Sequence, residues 1–205
     1  NFLVDGITVD ANQKMINSDG IDIDSCRHVR VANSSLKTGD DCLILRAMRE
    51  PGTLEHAVCE DVVVTNCTLN SACQTIRMGC PSDDTIRRAV FRDIRATGNN
   101  GIFFDYPVRY LRPDDEGFME ISDITVENYS GSFRGSAIQI VAGPGVKIRG
   151  VRDVVFRNFR VQSAQPLRFV GNADSVLANV VLEDVTAEVS GKVPYEAVAT
   201  EPLVL

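Results

Sequence analysis

The chain has 205 residues, 44% of them apolar and 24% charged, with a net charge of −7 and a pI near 4.9. That length and balance suit one folded domain with a sizeable core and exclude a disordered chain. The acidic charge and dispersed arginines argue against nucleic acid as a partner, and no apolar run approaches the ~20 residues of a membrane-spanning helix. The chain opens at Asn1 with no leader pattern and is read as mature, trimmed or partial, so nothing speaks for the cytoplasm. The expected location is extracellular or periplasmic; oligomeric state is left open.

In chain order, a short pattern keeps returning. His28–Asn33, Asp61–Asn66, Arg88–Asp93, Asp123–Asn128, Asp153–Asn158 and Asn179–Asp184 each alternate polar and apolar residues and close on Asn or Asp. The alternation predicts half-buried strands. The closing residues recur at intervals from 26 (Asn158 to Asp184) to 35 (Asp93 to Asn128). A second register of short strands lies between them, beginning near Gly20, Asp41, Thr75, Asn100, Ser136 and Gln165. No amphipathic helical stretch separates the two registers, which excludes βαβ units.

Short strands, tight turns and this period predict an all-β, right-handed parallel β-helix, a solenoid occupying residues 1–205 as one domain and lacking some N-terminal coils. The rival, an antiparallel sandwich, calls for hairpin turns every 8–12 residues. The recurring Asn and Asp suit turns, bonding nearby backbone and tolerating left-handed geometry. Ala47–His56 and Asp105–Gly117 interrupt the repeat and are expected to wall a groove. Residues 191–205 leave the pattern and are expected to lie over the shaft end. The six cysteines show no zinc spacing; they read as core filler, with one or two disulfides among Cys59, Cys67, Cys73 and Cys80 left open.

Two units one coil apart carry the candidate chemistry: Asn17-Ser-Asp19-Gly-Ile-Asp and Thr38-Gly-Asp40-Asp41-Cys. Asp19 and Asp40 are 21 positions apart, so stacked coils set Asp19 beside Asp40 and Asp41. Crowded carboxylates repel, and one should hold its proton to higher pH. The cluster fits acid–base hydrolysis of a sugar linkage. Ordinary Asx turns fit it too, as does a Ca²⁺ site.

Together the two motifs resemble the polygalacturonase-like family 28 of glycoside hydrolases, whose members carry Asn-Thr-Asp-Gly-Ile-Asp and Gly-Asp-Asp-Cys at similar spacing. The resemblance implies inverting hydrolysis of an α-linked, usually pectic, polysaccharide, with no cofactor and no metal. It makes Asp40 the general acid, and Asp19 with Asp41 the pair that positions and deprotonates water. Farther along, the chain departs from the family. Gln74 stands at the family's His, and Gly101-Ile102-Phe103-Phe104-Asp105 replaces a strand holding Arg and Lys. Asn17, Gln74, Arg77, Phe103, Asp105 and Tyr106 are the expected substrate-binding residues. Arg77 is a candidate replacement cation, and Phe103, Phe104 and Tyr106 suit a less charged sugar. His28 and His56 read as exposed structural residues. Two other readings stay open: a non-catalytic carbohydrate-binding module, and a Ca²⁺-dependent lyase. The lyase would need a strong base near the acids, for which Arg46 is the nearest candidate.

Overall fold

The computed structural model describes residues 1–53, 55–80, 82, 84–105, 113, 119–142, 150–190, 193, 195–198 and 200–204, with the backbone alone described at 105 and 200–204. The strands are β1 (Phe2–Asp5), β2 (Thr8–Asp10), β3 (Ile21–Asp24), β4 (Arg27–Ala32), β5 (Ser35–Thr38), β6 (Leu43–Arg46), β7 (Val58–Gly79), β8 (Thr85–Asp105), β9 (Glu120–Ser136), β10 (Ile138–Val141), β11 (Gly150–Gln165), β12 (Leu167–Val170), β13 (Leu177–Val189), β14 (Tyr195–Val198) and β15 (Thr200–Val204). Every strand pairing is parallel, and each strand pairs with those of the next coil. The fold is therefore a parallel β-helix, not a sandwich of hairpins. The described residues include an antiparallel bridge, Asn172–Ser175, outside the strands. No helix of the described residues is long and apolar enough to cross a membrane.

A run such as β7, 22 residues long, would be far longer than an ordinary strand if straight. It turns corners instead. The first and last residues of all six predicted segments have positive φ, from 50° at Asn179 to 58° at Asp93. Left-handed residues at both ends of a short strand bend the chain around the shaft. Asn and Asp tolerate that region, as the sequence predicts. At the closing corners, though, their amides bond one another between coils. Asn33 Nδ2 donates to Asp5 at 2.8 Å, Asn66 to Asn33 at 2.7 Å, Asn128 to Asp93 at 2.9 Å and Asn158 to Asn128 at 2.7 Å.

Inward positions stack in columns. Ile23, Leu45, Met78, Phe104, Ile140 and Phe169 follow one another in register, all buried. Val31, Val64, Phe91, Val126, Phe156 and Leu182 form a second column. Deeper in the shaft Tyr129 stacks on Phe159 with centroids 5.0 Å apart, and its hydroxyl meets Thr75 Oγ1 at 2.9 Å. No disulfide joins the six cysteines; Cys42, Cys59 and Cys67 are core filler, as predicted.

The described strands of the C-terminal tail keep the pattern. Tyr195–Val198 and Thr200–Val204 pair in parallel with β12 and β13. They lie at the shaft end as further winding, because backbone pairing continues where the side-chain repeat fades.

Candidate active site

The corner between β5 and β6, with the matching corner before β3, carries the acidic cluster. Two glycines let these coils approach. A Cβ on Gly20 would collide with the Cys42 carbonyl, and one on Gly39 with the Met15 and Asn12 carbonyls. Thr38 and Ser71 hydroxyls both donate to the Asp40 carbonyl at 2.6 Å and fasten the turn to the next coil.

On this frame Asp19, Asp40 and Asp41 come together. The Asp41 N–H donates to Asp19 Oδ1 at 3.1 Å, and the Asn17 N–H donates to Asp40 Oδ2 at 3.1 Å. Asn17 thus meets the site through its backbone, bent into place by a φ of 51°. Asp41 is 1% exposed. Its Oδ1 accepts the Gln74 N–H at 3.0 Å and its Oδ2 lies 3.0 Å from Arg77 Nη1.

Burial pushes the Asp41 carboxyl up to about 6, against the opposing pull of Arg77 and the Gln74 N–H. Burial also raises Asp19, aided by the charges of Asp40 and Asp22. Burial, more than repulsion between neighbouring carboxylates, is the cause of both shifts. The resemblance gives the acid's part to Asp40, whereas burial puts the stated elevation on Asp41.

From the sequence Cys73 is a candidate for the core or for a disulfide. Instead it is half-buried at the site, its Sγ and one carboxylate oxygen each of Asp40 and Asp41 lying within 4.8 Å of one another. Burial and the two carboxylates hold its thiol protonated well above the usual range. Leu43 pairs Ile76, so strand register sets Cys73 one coil on from Asp40. These three residues are the described group that could hold a metal, but a thiol and the paired Arg77 suit Ca²⁺ poorly.

Beyond the cluster, Asp22, Ile44, Arg77, Phe103, Gln139 and Arg168 stand in register across the face. Arg77 is not a solvated cation: its side chain is 12% exposed and its guanidinium lies 5.9 Å from the Phe103 ring centre. Gln74 pairs Asn100, and its buried Oε1 has no hydrogen-bond partner among the described residues. Asp105 pairs by backbone with Gly79 and Val141; Tyr106 lies outside the described residues. Arg46 is bound to Asp22 and Asp24 at 3.0 and 3.1 Å. His28 and His56 are largely exposed and face Asp61 and Asp84.

Residues 1–59 match the family model "Glycosyl hydrolases family 28", a span that contains both acidic motifs. A polygalacturonase of Medicago sativa is 24% identical over 180 residues, covering 74% of this chain and 43% of that protein. One of Brassica napus is 24% identical over 182 residues, covering 71% and 44%. The chain thus spans less than half the length of these relatives. Among solved structures, a Yersinia enterocolitica family 28 exopolygalacturonase superposes with a TM-score of 0.59 at 18% identity, over 91% of this chain and 38% of that one. A shared fold, relatives aligned along most of the chain and a family match on the coils that bear the three aspartates make this chain similar to the polygalacturonases of glycoside hydrolase family 28.

Proposed function

We propose that the chain hydrolyses α-glycosidic bonds in a pectin-like polysaccharide with inversion at the anomeric carbon. Asp40 donates a proton to the leaving glycosidic oxygen as the carbon–oxygen bond breaks. Asp19, with Asp41, positions a water and takes its proton as that water attacks the opposite face. The observation that supports this best is the convergence of the three carboxylates on one corner, tied together by the Asp41 N–H on Asp19. An inverting acid and base stand about 6.5–9.5 Å apart. One oxygen each of Asp40 and Asp41 lie within 4.8 Å of one another. Asp19, on the neighbouring coil and more exposed than Asp41, is read as the base, with Asp41 supplying charge and orientation.

Product analysis by NMR on pectic and neutral glycans tests the reading; an inverted anomer is expected, and retention would refute it. Chelator should leave turnover unchanged and no ultraviolet-absorbing product should form, which separates hydrolysis from a Ca²⁺-dependent lyase. A non-catalytic binding module is the second reading, favoured by the withdrawal of Asp41 into a buried ion pair. It predicts binding with no new reducing ends.

A further inference from the structure

We propose that the sugar seated over the acidic corner is uncharged or carboxyl-esterified, and that a polymer of free uronates is the disfavoured substrate. This rests on the hydrolytic reading above and narrows it. The face that bears the corner consists of β3, β6, β10, β12, β14 and the distal ends of β7 and β8. Among the described side chains of those strands the cations are Arg46, Arg77 and Arg168. Each already faces a carboxylate: Arg46 meets Asp22 and Asp24, Arg77 meets Asp41 at 3.0 Å, and Arg168 meets Glu196 at 3.1 Å.

At the corner itself Asp19, the base of the hydrolytic reading, adds negative charge, and Asp40, its acid, adds no cation. Over these strands an incoming carboxylate either faces a net negative field or draws a guanidinium from its partner, while the exposed Arg134 of β9 lies in the adjoining cleft with Ser71. Drawing Arg77 away would strand Asp41, which is 1% exposed, as an uncompensated buried charge. What the face offers instead is neutral. Phe103 and Gln139 stand in register beside Arg77, and Gln139 Nε2 reaches Asn100 Oδ1 at 3.4 Å. An aromatic surface and side-chain amides suit the C–H face and hydroxyls of a neutral pyranose.

The test compares one galacturonan in fully methyl-esterified form and after saponification, matched for length. Initial rates are read as new reducing ends with the wild-type protein, and binding by calorimetry with Asp40→Asn. The esterified polymer should be cleaved and bound about tenfold better at low salt, with the gap closing as salt screens the field. Equal or better handling of the saponified polymer overturns the proposal while leaving hydrolysis standing. If neither polymer is cleaved but Asp40→Asn still binds the esterified form better, the hydrolytic reading falls and the charge selectivity survives. Phe103→Arg should narrow the binding gap; a gap that does not move overturns the assignment of selectivity to this face.

Discussion

Asp41 is where burial and charge compete most directly. Its carboxyl sits at about 6 against an ordinary 3.8, so the folded chain holds a proton that the unfolded chain releases. The resulting stability is present below about pH 4 and is lost as pH rises through about 6, a swing on the order of 3 kcal/mol. Asp41→Asn should flatten that part of the profile, seen as denaturation midpoints that no longer fall between pH 4 and 7. Arg77→Met leaves a buried carboxylate alone and should cost about 3 kcal/mol at pH 8, where Asp41 is ionised. The loss should shrink near pH 4, where Asp41 is protonated in both proteins. For turnover, Asp19→Asn and Asp40→Asn should each reduce kcat by about 100-fold or more with the circular dichroism spectrum unchanged. Full activity in both would remove the chemistry from this corner.

The corners decide how one coil meets the next. At Asn66 the side chain does two things: it tolerates a φ of 53° and its amide donates to Asn33. Asn66→Gly keeps the first and loses the second, while Asn66→Ala loses both. The alanine variant should therefore be the less stable by about 1 kcal/mol in urea titrations. Gly20 answers to a different constraint, the nearness of the Cys42 backbone. Gly20→Ala must push two coils apart and should lower both stability and turnover, because Asp19 rides on the same turn.

Along the whole shaft, stability comes from contacts between neighbouring coils. Phe159 stacks on Tyr129 from the coil before and meets Phe156 edge-on at 5.6 Å. Phe159→Ala should open a cavity and cost about 3–5 kcal/mol. Because β11 pairs with β9 on one side and β13 on the other, hydrogen exchange should accelerate in β11 and β13 before it does in β4. Uniform acceleration along the chain would mean that the shaft unfolds as one unit.

The sequence by itself determined the strands, their corners and the meeting of Asp19 with Asp40 and Asp41. Alternation and left-handed turn residues act within a few positions, and the coil from Asp19 to Asp40 is too short to place its ends elsewhere. The tertiary structure alone decided that Arg77 spends its charge on Asp41 and that Cys73 faces the acids. Asp41 and Gln74 are 33 positions apart, with the Ala47–His56 insertion between them. That insertion absorbs chain length without altering strand pairing, so backbone register, not spacing in the sequence, selects which side chains share the corner.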